Sequence, residues 1–238
     1  MDLSLVLIGV VLFWSAFTQS VSGFGVALVS MALLPLLIDV QSATALVALI
    51  VIVVDIGVLA RYYKSLRFGD VWPLLLPSFF GVPLGIFLLR YIEESVMLLF
   101  LGIILVGYAV YALMGFRLFE LKGRGWAYLA GFLGGLLGGA YNANGPPIII
   151  YANCRRWKPD VFKGNLQSFF LFNSFVIAIG HAVGGNFTPE VWRMFLAGLP
   201  GIILGLLAGI ALDKRINPIV FRKIVLVLLL VMGIKMIF

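Results

Sequence analysis

Apolar runs long enough to cross a bilayer recur from one end of this chain to the other. A helix needs roughly 20 residues to traverse ~30 Å of hydrocarbon, and stretches of about that length fill the sequence, broken only by short charged or Gly/Pro-rich segments. With 63% hydrophobic and 11% charged residues and a mean hydropathy of +1.14, no water-soluble fold could cover this content with polar surface. The expected fold class is an all-α polytopic membrane protein. Residues 3–13 resemble the apolar part of a signal peptide, but Asp2 precedes them with no Lys or Arg and no clean small-residue cleavage site follows, so they read as mature structure.

The net charge of +7 does not point to nucleic acid, because the basic residues sit in short loops between apolar spans and form no continuous face. A single cysteine, Cys154, and a single histidine, His181, exclude an internal disulfide and Cys/His metal clusters. No cofactor or metal is called for. The chain also lacks a Gly-x4-Gly-Lys-Ser/Thr loop and the residues of a metal hydrolase, which argues against an enzyme.

Apolar periodicity and breaks place helices at 3–20, 24–37, 42–62, 71–92, 96–115, 125–141, 146–154, 161–184, 190–212 and 218–238. Two are short. At 1.5 Å per residue, 24–37 rises ~21 Å and 146–154 only ~14 Å. Each follows a longer helix across a Gly- or Asn-rich break, so each pair is expected to form a hairpin dipping into the membrane.

The halves match. Val71-Trp72 recurs as Val191-Trp192, Leu84-Gly85 as Leu204-Gly205, and Gly25 as Gly145, all 120 residues apart, while Asp39-Val40 and Asp160-Val161 lie 121 apart. Shared composition alone yields occasional matches; the common offset and element order favour a duplication. The repeats run over 1–116 and 125–238, with 117–124 as a cytoplasmic linker. If each hairpin returns to its side of entry, three spans follow it and the second repeat is inverted. Of the 17 Lys and Arg residues, only Arg90, Arg193 and Lys235 then fall on one side, which makes the other side cytoplasmic and leaves both termini outside.

The two breaks carry the candidate site. They read Ser20-Val21-Ser22-Gly23-Phe24-Gly25 and Tyr141-Asn142-Ala143-Asn144-Gly145-Pro146-Pro147. Non-helical backbone at membrane depth persists only where protein or a watery cavity satisfies it. A helix follows each break, and its first N–H groups have no intrahelical partner. Asn144 is an N-cap candidate, and Pro146 or Pro147 suits a first turn. Two facing helix N-termini with no fixed positive side chain nearby suit a small oxyanion. The backbone of Gly23, Phe24, Gly25, Asn144 and Gly145, near Pro146, would contact it, with side-chain bonds from Ser22, Asn142 and Asn144. The alternative is that these residues only permit tight turns and close packing.

Thr44, Asn165, Gln167, Ser168, Asn173 and Ser174 are secondary pathway candidates, equally explained by interhelical hydrogen bonds. Asp55, inside an apolar span, is a candidate for proton coupling or else an ion-pair partner of Arg61 or Lys64. His181 reads as a packing or interfacial residue.

The break Ser22-Gly23-Phe24-Gly25 leading to Leu33-Leu34-Pro35-Leu36, its counterpart Gly134-Gly135-Leu136-Leu137-Gly138-Gly139 leading to Asn144-Gly145-Pro146-Pro147, and the duplicated layout resemble the TauE/SafE sulfite exporters, also called the toluene sulfonate uptake permease family. The chain departs from the usual pattern at Phe24 and Val26, where glycine is common, and at Asn142 and Asn144. The resemblance implies a carrier of the bacterial inner membrane for sulfite, an organosulfonate or a related anion, acting in export, with lipid as its surroundings. A channel for anions or small solutes and a non-transporting scaffold subunit are the alternative functions. A homodimer is compatible with a carrier this small, although no motif demands one.

Overall fold

The structure is a computed structural model that describes residues 3–62, 66–115, 120–121, 123–212 and 215–238. Half of the linker, with Arg117 and Lys122, and the basic residues Lys64 and Lys214 lie outside the described residues. The helices are α1 (Leu3–Ser22), α2 (Val26–Leu33), α3 (Val40–Tyr62), α4 (Phe68–Tyr91), α5 (Glu94–Met114), α6 (Gly125–Tyr141), α7 (Gly145–Cys154), α8 (Pro159–Val183), α9 (Pro189–Leu212) and α10 (Pro218–Ile237). Each expected helix is present, with ends within about three residues for all but α2. There the expected segment 24–37 is shorter: α2 gives way at Leu34 to a 3₁₀ turn, Leu34–Leu36, because Pro35 has no N–H with which to continue an α-helix.

Among the described residues, six helices, α1, α3, α4, α5, α8 and α9, are long and apolar enough to cross a membrane. α10 has 20 residues but carries Arg222 and Lys223 near its start and Lys235 near its end. Trp72, Trp126 and Trp192 lie exposed within a few residues of helix ends, where aromatic anchors belong.

Close packing is set by glycine. α4 lies along α6, and α1 along α9, each pair parallel and in backbone contact. A Cβ on Gly85 of α4 would strike the carbonyl oxygen of Leu136, and one on Gly205 of α9 the carbonyl oxygen of Phe13. The matched pair Leu84-Gly85 and Leu204-Gly205 thus performs the same task twice, because only a residue without a side chain lets two backbones approach so closely. α5 and α10 meet antiparallel at Gly102 and Gly233, and α3 crosses α8. Replacing each helix by the one five places along the chain returns the same four pairings.

The α6–α7 hairpin returns to the end of the bundle from which it set out. At the base of α6–α7, Leu121 N–H donates to the Cys154 carbonyl at 3.2 Å, and the Arg155 guanidinium donates to Leu121 at 2.9 Å. The other hairpin leads into the start of α3, where Val40 N–H donates to Glu94 at 2.8 Å and Gln41 Nε2 to Asn186 at 2.9 Å.

Candidate functional site

The chain leaves its helical path at the two breaks for different local reasons. At the first, Gly23 (φ 78°) and Gly25 (φ 112°) both take left-handed conformations that a side chain would oppose. At the second, Asn142 takes the left-handed region (φ 53°) and ends α6 with a paired cap: its N–H donates to Gly138 O at 2.7 Å and that of Ala143 to Leu137 O at 3.1 Å. Pro146 and Pro147 then occupy the first turn of α7, where their missing N–H costs nothing.

The breaks meet. Phe24, Gly25, Val26, Ala27 and Leu28 from the first and Asn142, Asn144 and Gly145 from the second border one small interior cavity, together with Gln19, Val51, Asp55 and Phe170. Its volume, about 20 Å³ for the centre of a water molecule, accommodates about one water. On the α2 side, the N–H groups of Ala27 and Leu28 fall in the first helical turn and have no intrahelical acceptor. The Val26 N–H is occupied by Gln19 Oε1 at 3.1 Å. On the α7 side, Asn144 occupies the N-cap position, but its side chain caps nothing and stays free at the cavity wall.

Asp55 of α3 is fully buried against this cavity. Its Oδ1 accepts from Gln167 Nε2 at 2.7 Å and Gln19 Nε2 at 3.2 Å, and its Oδ2 lies 3.2 Å from the Ser174 hydroxyl. Its partners among the described residues are thus neutral amides and a hydroxyl; Lys64 and the side chain of Arg61, the alternative ion-pair partners, lie outside the described residues. Gln19 joins the parts, since the same amide that donates to Asp55 and, at 3.4 Å, to Gln167 also caps α2 through its oxygen.

Several expected residues stand elsewhere. The Ser22 hydroxyl is turned to the carbonyls of Thr18 and Phe24, and neither Ser22 nor Gly23 borders the cavity. Pro146 faces an apolar groove between α6 and α7. Asn142 borders the cavity, but its amide donates to the Thr44 carbonyl at 2.7 Å, tying the second break to α3. The Thr44 hydroxyl bonds Val40 O within its own helix, and the Ser168 hydroxyl does the same with Gly164 O. Asn165 accepts from Arg67 N–H at 2.8 Å, and Asn173 is buried without a hydrogen bond beside Gly138. Of the secondary set, Gln167 and Ser174 reach the site through Asp55. His181 is a packing residue: fully buried, with Nδ1 held by the Asn186 amide at 2.9 Å.

Two features escaped the sequence reading. Gln19 immediately precedes the break and looks like one polar residue in an amphipathic end. Arg222, assigned to a basic surface, instead lays its guanidinium over the Phe24 ring, 5.3 Å from the centroid, which corrects the expectation that no fixed positive charge is near.

The model of the sulfite exporter TauE/SafE family matches residues 7–236. A relative in Cupriavidus necator, described as a probable sulfite/organosulfonate exporter TauE, is 25% identical over 221 residues, covering 90% of this chain and 86% of its own length. No solved structure matches. Because the family match covers nearly the whole chain, including every segment that borders the cavity, this multi-pass membrane protein belongs to the sulfite exporter TauE/SafE family.

Proposed function

We propose that this chain is a secondary transporter that moves a small sulfur oxyanion, sulfite or an organosulfonate, outward across a bacterial cytoplasmic membrane. Family membership and the relative's description support the substrate class and the direction. The observation that supports the mechanism is the shared cavity, which Ala27 and Leu28 in the first turn of α2 and Asn144 of the second break border together. Such donors attract an oxyanion through neutral dipoles, with the one guanidinium described nearby, that of Arg222, stacked on the Phe24 ring. The cavity is smaller than the anion, so loading requires the tips of α2 and α7 to part. The repeats 1–116 and 125–238 rock about them as inverted halves, with both termini outside and the basic loops in the cytoplasm.

Asp55 sets the condition for loading. An ionised carboxylate ~5 Å from a bound anion at an effective dielectric of ~20 repels it by roughly 3 kcal/mol, about a hundredfold in affinity. The anion therefore enters when Asp55 is protonated. The geometry suits that form: Ser174 has one hydroxyl hydrogen, and the Phe170 carbonyl at 2.7 Å takes it, which leaves the Ser174 oxygen free to accept from a protonated Asp55 Oδ2.

The test is sulfite flux in proteoliposomes. Asn144→Leu should lower flux at least about tenfold while leaving the unfolding temperature within about 3 °C, because the Asn144 amide makes no hydrogen bond that folding needs. Unchanged flux in the folded variant would remove the second break from the site. Saturable exchange stimulated by substrate on the far side identifies a carrier, and unitary currents would identify a channel instead.

A further inference from the structure

Phe24 is placed as a partition. It sits between two glycines of positive φ, its side chain is buried, and its ring borders the cavity. Beyond the cavity's lining lies a second polar set. The Arg222 guanidinium of α10 covers the Phe24 ring, and Tyr108 of α5 meets the same ring edge-on, with centroids 6.5 Å apart. Tyr108 is 3% exposed, and its buried hydroxyl lies against the Arg222 guanidinium, which acts on it by charge and by a loose hydrogen bond. Arg222 Nε is buried and unpartnered. A buried donor that bonds to nothing is rare and costly, and here the Arg222 Nε is one, set beside a buried phenol at the neck of a proposed anion site.

We infer that Arg222 and Tyr108 form a receiving station for the transported oxyanion, separated from the interior cavity by the Phe24 ring, which acts as a gate. The inference rests on the anion-transport reading above. A guanidinium and a phenol offer N–H and O–H donors in a set that matches the oxygens of a sulfite or sulfonate group. While the station is empty, the cation rests on the ring and holds the gate shut. An arriving anion competes for the guanidinium, which weakens that contact, and the flanking glycines allow the Phe24 backbone to turn. α10 begins at the basic end of the chain's loops, with Arg215 and Lys223 exposed beside it, so the station serves the cytoplasmic face.

The distinguishing property is sidedness. In proteoliposomes, half-saturating sulfite is measured separately for entry from each face. Arg222→Gln should raise it about tenfold at the cytoplasmic face and leave it unchanged at the other, since one charge-assisted hydrogen bond is lost on one side only. Arg222→Lys should recover part of the loss, and Tyr108→Phe, which keeps the ring packing, should shift the same face by about threefold. Phe24→Ala should raise flux without substrate on the far side. A shift of equal size on both faces, or none in folded Arg222→Gln and Tyr108→Phe, would overturn the station while leaving the transport reading intact. Absence of sulfite flux in the unsubstituted protein would overturn both.

Discussion

Asp55→Asn should transport sulfite at a rate independent of pH, whereas the unsubstituted protein should lose transport as pH rises through the titration of Asp55. The sign follows from charge. Protonated Asp55 and a bound anion coexist, ionised Asp55 and a bound anion repel, and asparagine imitates the neutral form. The substitution is also nearly isosteric. Asn Oδ1 can still accept from Gln19 and Gln167, and its amide can donate to the Ser174 oxygen, so the folded state should persist. Asp55→Leu differs in kind. It leaves the Gln167 and Gln19 amides buried without an acceptor, at about 1–3 kcal/mol each, and should lower stability as well as flux. Flux measured from about pH 5 to 8 under a fixed membrane potential separates these outcomes. A pH profile unchanged by Asp55→Asn would show that Asp55 has no part in coupling.

Gly85→Val should prevent the protein from folding to a stable bundle, with a loss of more than about 3 kcal/mol. Its added Cβ meets the Leu136 carbonyl oxygen and lies 2.7 Å from the Ala140 nitrogen, both of them backbone atoms that cannot turn aside as a side-chain end can. α4 and α6 would have to separate, and α6 carries the second break at its end. Gly205→Val should do the same to α1 and α9, and so to the first break. Gly107→Ala is the control: nothing lies within 4 Å of its added Cβ, and stability should stay within about 1 kcal/mol. Thermal unfolding in detergent and elution as a monodisperse species would check all three. Normal behaviour of Gly85→Val would mean that the parallel contact is looser than it stands here.

What the sequence disclosed depended on how local each signal was. Helix number and approximate ends could be read because apolar length, proline and glycine act within a few residues, as at Pro146-Pro147 and the left-handed Asn142. The breaks could be singled out as candidates because a Gly- or Asn-rich interruption at membrane depth demands an explanation. Side-chain assignments were harder, because they depend on contacts between residues far apart in the chain. Asn142 is paired to Thr44, 98 positions away, and Asp55 to Gln167, 112 away, and no periodicity reports such a meeting. Gln19 was passed over for that reason, since its value lies in spanning α2 and Asp55 at once. Arg222 shows the converse. Counting it among topology signals located its end of α10 but hid the reach of a long side chain, whose charge lands on an aromatic ring at the first break.

The account stands on one site formed by two chain breaks, and a structure determined with sulfite or an organosulfonate bound tests it most directly. The expected density lies between the α2 and α7 tips, within about 3.5 Å of the Ala27 or Leu28 N–H and of the Asn144 side chain, with Asp55 close by and the tips further apart than here. Density confined to a surface groove, or an anion held by one break while the other stays remote, would contradict it.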